Sequence, residues 1–200
     1  MEHFRNNSIG FSTGIRALRV CMIVFHMMLV ALGARGQNPD RITGPSTKPS
    51  EAGREVMRVC HSQIGVREKH LNAGPEVEKY LRYVNLPKGN PWCAAFVCWV
   101  YGQANVPNPR SGWSPDLFPA SRVVWQRAGK SRSPKPADVF GIYFPEKGRI
   151  AHVGFVDQWK EPWLITVEGN TNLADSREGG GVYRKRRLTR SVYQVGRYID

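Results

Sequence analysis

The spacing of apolar residues changes character once along this chain, and that change limits the fold more than any other feature. Before residue 105 apolar side chains recur at helical intervals. Ala52, Val56, Val59 and Cys60 fall at i, i+4, i+7 and i+8, one face of a helix. Pro75 opens a second helix, with Val77, Tyr80, Leu81 and Val84 on one stripe. Asn90-Pro91 reads as the cap and first position of a third. Residues 94–101 are apolar nearly all round, so that helix must be buried. After Pro136 the pattern turns to strand-like runs at 139–144, 150–159, 163–170, 181–187 and 195–199. The stretch between, 105–119, is Pro-rich and irregular, and a short amphipathic helix is expected around 121–128. Helices first and strands afterwards predict an α+β fold, with N-terminal helices packed on a C-terminal antiparallel sheet.

The N-terminus reads differently. Residues 1–19 are polar, 20–34 are apolar apart from His26, and small residues follow at Ala34 and Gly36. Fifteen apolar residues are short for a ~30 Å hydrocarbon core. The order of charged, apolar and small segments is that of a secretory signal peptide, expected over 1–36. Residues 37–50 hold three prolines and no apolar period, and read as a linker to a domain spanning 51–200. The whole chain carries +13; without 1–36 it would carry +10 on 164 residues. A basic exported protein favours an anionic partner such as a wall or membrane surface. We expect a secreted or periplasmic location, no membrane span in the mature form and a monomer. Four cysteines in 200 residues are too few for a disulfide scaffold, and no CxxC, HExxH, GxGxxG or GxxxxGK[ST] pattern occurs. No metal, cofactor or nucleic-acid partner is therefore expected.

Chemistry-bearing residues gather in three places. Cys93 lies near the start of the buried helix, at about its third position. Unpaired N–H groups and the positive end of the helix dipole would there favour the thiolate. The same N–H groups could face a developing oxyanion. His152 lies in the run 150–156. With period two, Ile150, His152, Gly154 and Val156 share a face, and Gly154 leaves space beside the imidazole. A strand holds such a ring rigidly enough to serve as a base for a thiol. Glu168 and Asn170, two apart on the next strand, share a face, and either could accept the second imidazole N–H. Taken singly, each has a plain alternative: a core cysteine, a satisfied strand histidine, a polar strand end.

Together the motifs are more specific. Asn90-Pro-Trp-Cys-Ala-Ala-Phe-Val97, Pro136-Ala-Asp-Val139, Arg149-Ile-Ala-His-Val-Gly-Phe155 and Val167-Glu-Gly-Asn170 resemble a CHAP domain, the cysteine, histidine-dependent amidohydrolase/peptidase of the papain-like NlpC group. The resemblance covers about 51–200, and its Trp-Cys-Ala-Ala form is similar to a version found in Bacteroidetes-type bacteria. It implies a papain-like fold, Cys93 as nucleophile, His152 as base, Glu168 and Asn170 as orienting groups, and hydrolysis of amide bonds in peptidoglycan. The bond could join stem-peptide or cross-bridge residues, or the sugar lactyl group and L-alanine. Many members carry Gln before the cysteine; here Trp92 stands there, so the backbone of Cys93 is the one oxyanion donor the resemblance supplies. Trp92, Trp113 and Arg177 are candidates to touch substrate, and Phe118 to wall the cleft. Arg184-Lys-Arg-Arg187 reads as a solvated strand face or a patch for anionic wall polymer. Asp138 reads as a turn-stabilising residue. Cys60 and Cys98 read as unbridged core residues. Two rival functions remain at this level: a non-catalytic wall-binding module, or an amidase on a non-wall amide.

Overall fold

The structure is a computed structural model and describes residues 50–129, 132–173 and 179–199. The expected leader, all but the last residue of the expected linker, and Arg177 lie outside those residues. Helix α1 spans Glu51–Ser62, and the Ser50 hydroxyl caps it by accepting the Gly53 N–H at 3.2 Å. Val56, Val59 and Cys60 form its buried stripe. Helix α2 spans Pro75–Tyr83 with proline in its first turn, and buries Val77, Tyr80 and Leu81. Helix α3 spans Cys93–Gln103 and is buried on almost every side.

The strands are β1 (Val123–Gln126), β2 (Val139–Phe144), β3 (Arg149–Lys160), β4 (Trp163–Thr171), β5 (Gly181–Leu188) and β6 (Gln194–Gly196). They form one sheet in the order β1-β6-β2-β3-β4-β5, with every neighbouring pair antiparallel. The molecule is thus α+β, with α3 packed on β3 and β4 and the other two helices packed around it.

Two local expectations are overturned. The helix expected at 121–128 is strand β1, paired with β6. Its Val123-Val-Trp125 run suits a pleated surface, and Trp125 packs on Trp159 with ring centroids 5.2 Å apart. The third helix begins at Cys93 rather than at Pro91. The cause is tertiary: the Trp92 N–H donates to Asn170 Oδ1 at 3.0 Å, which ties residue 92 to the end of β4. Asn90 caps nothing; its amide donates to the Pro87 carbonyl.

Aromatic packing fixes where α3 starts. The Trp92 ring is fully buried, stacks on Tyr80 at 5.4 Å and meets Phe96 edge-on at 6.4 Å. Such pairs contribute about 0.5–1.5 kcal/mol each beyond their buried area. Gly169 of β4 makes the approach possible. A Cβ there would stand 2.7 Å from both Phe96 and Trp92. Any larger residue would push the head of α3 off the sheet.

Candidate active site

Cys93 is the first residue of α3. The first helical bond runs from the Phe96 N–H to the Trp92 carbonyl at 2.8 Å. The N–H groups of Cys93, Ala94 and Ala95 therefore stand ahead of the helix ladder, at the positive end of its dipole. The sulfur is almost wholly buried. Ser114 Oγ lies 3.7 Å from it, carried by a short 3-10 turn, Ser114–Leu117. Burial pushes the Cys93 thiol up. The hydrogen bond and charge of His152, the Ser114 hydroxyl and the Val153 backbone outweigh burial and hold it below its ordinary value.

His152 sits on β3, where strand register slips. Ile142 of β2 faces His152, but Tyr143 faces Ile150, so Ala151 is left without a partner as a bulge. Bulges re-aim neighbouring side chains. This one overturns the simple period: Ile150 joins Val153 and Phe155 in the core around α3 instead of sharing a face with His152. The imidazole Nε2 lies 2.8 Å from Glu168 Oε2. His152 is also the neighbour that does most to hold the Cys93 thiol low, and with Nε2 committed to Glu168 the nitrogen left for the sulfur is Nδ1. Burial alone would lower the imidazole pKa. The hydrogen bonds and charges of Cys93 and Glu168 win and raise it to about 9.

Glu168 has no exposed surface. Besides His152 it takes a hydrogen bond from the Thr166 hydroxyl and a two-point contact from Arg187, whose Nη2 stands 2.6 Å from Oε2 and whose Nε donates to Oε1. Burial pushes this carboxyl up, but Arg187 and His152 hold it far below the usual carboxylate range. The space beside the imidazole that Gly154 was expected to leave open is filled: a Cβ there would lie 2.9 Å from Glu168 Cγ and from the Phe140 ring. Gly154 thus admits the carboxylate into the sheet.

Asn170, the other expected orienting group, does not bond the imidazole. Its Oδ1 accepts the Trp92 N–H, and its amide donates to Asn72 Oδ1 at 2.9 Å, the Gly179 carbonyl at 3.1 Å and Glu68 Oε1. Its left-handed backbone, φ 55°, is one that Asn tolerates. Asn170 clamps the head of α3 to β4. Trp92 likewise cannot touch substrate as a surface ring, being buried with its indole N–H donating to Glu68 Oε1 at 2.6 Å.

A groove of about 500 Å³ opens onto Cys93, with Ala151, Ser114 and Trp113 in its walls. Trp113 is half exposed on its rim. Phe118 instead packs into the core against Gly141. Asp138 accepts the Lys135 N–H at 2.7 Å and pairs with Arg197, a turn and strand-end role. Cys60, Cys93 and Cys98 are all unbridged. Among the described residues no group of three His, Cys, Asp or Glu side chains is placed to hold a metal.

Sequence reasoning missed Arg187, Ser114 and Glu68. In sequence the R-K-R-R run reads as a solvated face or a patch for anionic wall polymer, yet β5 alternates: Arg184 and Arg186 are exposed, Lys185 and Arg187 half-buried. Strand periodicity puts Lys185 and Arg187 on one face, but a run of four basic residues does not say which face is buried. Ser114 and Glu68 lie in irregular segments that carry no such signal.

No family model matches the sequence, and no curated protein matches it. One solved structure similar to this chain is an NlpC/P60 family protein from Bacillus cereus ATCC 10987, at 13% identity and a TM-score of 0.43. The match covers 76% of this chain and 42% of that one, so the chain spans about two-fifths of that protein's length.

Proposed function

We propose that the chain is a cysteine-dependent amide hydrolase of CHAP type, with a papain-like arrangement, exported to act on peptidoglycan peptides. The observation that carries the reading is the buried line Cys93, His152, Glu168, Arg187, with its sulfur opening to a groove. A thiol held low beside an imidazole held high favours proton transfer from sulfur to ring, the thiolate–imidazolium form.

Cys93 Sγ attacks the amide carbonyl carbon, and the carbon–oxygen double bond opens to an oxyanion. We assign the Cys93 backbone N–H, ahead of the helix ladder, and the Ser114 hydroxyl beside the sulfur as its donors. The imidazolium gives its proton to the leaving nitrogen, the C–N bond breaks, and an amine departs. A thioester remains. Neutral His152 then takes a proton from water as its oxygen adds to the thioester carbon. The C–S bond breaks, releasing a carboxylic acid and restoring the ion pair. Glu168 stays ionised throughout and fixes the ring tautomer through Nε2, while Arg187 fixes Glu168.

Export rests on the leader-like segment 1–36, and wall targeting on the resemblance and on the net positive charge. The test uses purified sacculi. Wild type should release new amines and soluble peptide fragments, and Cys93→Ala and His152→Ala none. Mass spectrometry of the fragments identifies the bond. Binding to sacculi with no release would overturn the hydrolase reading in favour of a wall-binding module.

A further inference from the structure

Three cations line the groove in front of Cys93: Arg110, Lys147 and Arg149. No Asp or Glu side chain among the described residues lines it. Basic residues elsewhere are of two kinds: some hold a carboxylate, and others, such as Arg67, Arg122 and Arg186, lie over aromatic rings with none among the described residues. Arg58, Lys79, Arg184, Arg187 and Arg197 each hold a carboxylate. Arg110, Lys147 and Arg149 hold none among the described residues. Each of the two arginines is braced without being neutralised. The Arg149 guanidinium lies 3.8 Å over the Trp113 ring and spends one donor on the Ile150 carbonyl at 3.0 Å. Arg110 lies 4.6 Å over Tyr83 and bonds the Tyr83 carbonyl at 3.3 Å. A guanidinium stacked on a ring keeps its charge and its remaining fork of N–H donors, already oriented. Lys147 and Arg149 flank Gly148 in the β2–β3 turn, and Arg149 stands two residues ahead of the Ala151 bulge and three ahead of His152.

We propose that the groove selects amide substrates bearing a free carboxylate beside the scissile bond, with Arg149 as the main reader and Lys147 and Arg110 in support. This rests on the hydrolase reading above and narrows it to acidic peptides, against neutral bridges of uncharged residues. Cations that have no internal carboxylate gain most when a substrate supplies one, since a two-point guanidinium–carboxylate contact is strong and directional.

Soluble stem peptides prepared from sacculi are compared with the same peptides after their carboxylates are converted to methylamides. Binding to full-length Cys93→Ala is measured by calorimetry, and cleavage is measured with wild type. The native peptides should bind at least ~10-fold tighter than the blocked ones, and the preference should shrink in high salt. Arg149→Gln should bring the ratio near unity and Arg149→Lys should recover part of it; Lys147→Gln and Arg110→Gln should each reduce it several-fold. Equal binding of both sets, or an Arg149→Gln loss that falls equally on both, overturns the proposal. Preferential binding with no cleavage by wild type keeps the groove assignment and overturns the hydrolase reading. Cleavage of both sets at equal rates does the reverse.

Discussion

Three cysteines share the interior of this protein, and they titrate in opposite directions. Cys60, in the last turn of α1, is wholly buried, and burial drives its thiol well above the ordinary value. Cys98, in the middle of α3, is buried too and pushed up to about 11, although the Ser111 carbonyl takes its S–H. Cys93, five residues earlier on the same helix, is pulled down. Burial is common to all three, so burial does not make a reactive thiol; left alone it makes an inert one. What distinguishes Cys93 is a helix N-terminus, where neither of the others lies, and an imidazole whose own charge is held by a buried carboxylate.

The largest test of that contrast removes the imidazole. His152→Ala leaves Cys93 with burial and little to oppose it, so its thiol should move above ~8.5 and resemble Cys98. Amide hydrolysis should fall by roughly 10³-fold or more, read as kcat/KM on the released wall fragment. Wild type should also lose stability as pH rises. The folded pKa of His152 lies near 9, above its unfolded value of ~6.5, so its contribution is complete below ~6.5 and gone above ~9. Chemical denaturation at several pH values should show this loss in wild type and not in His152→Ala.

Next in size is the counter-charge. Glu168→Gln strands Arg187 without its carboxylate and leaves His152 with burial pulling its pKa down. Breaking a buried pair from one side costs about 3–5 kcal/mol, so Tm should fall by many degrees. Arg187→Gln should cost somewhat less, because Arg187 retains a little solvent contact. It should lower the alkaline limb of the pH–rate profile little while loosening the imidazole, and so reduce kcat more than KM. Glu168 contributes above ~4.3 and its contribution is lost as pH falls, since its folded pKa is depressed.

How far this contrast could be read from the chain follows from which interactions are local. The Trp92-Cys93 and His152 motifs announced themselves because a helix head and a strand carry their periods in sequence. The start of α3 was misplaced by two residues because a bond from Asn170, 78 residues away, decides it. Choosing Glu168 over Asn170 needed the register slip in β4 between Glu168 and Thr171, which no alternation rule reveals. The same holds for the Ala151 bulge. Arg187 was hidden in a basic run whose alternation separates it from its exposed neighbours only once β5 is placed beside β4.

Smaller effects sharpen the account. Ser114→Ala removes a neutral donor beside the sulfur; the thiol should rise modestly and kcat should fall about 10-fold, with the unfolding free energy changed by no more than ~1–2 kcal/mol. Cys98→Ala should leave the hydrolysis rate and the Cys93 titration unchanged and cost only packing, roughly 1–2 kcal/mol in urea unfolding.

The ionisation of Cys93 by its neighbours is measured most directly by iodoacetamide alkylation of the native protein across pH, with each thiol assigned by mass spectrometry. The account predicts one reactive thiol, Cys93, with a midpoint clearly below ~8.5, while Cys60 and Cys98 stay unmodified until the protein unfolds. Three thiols reacting alike, or Cys93 titrating at or above that value, would contradict it.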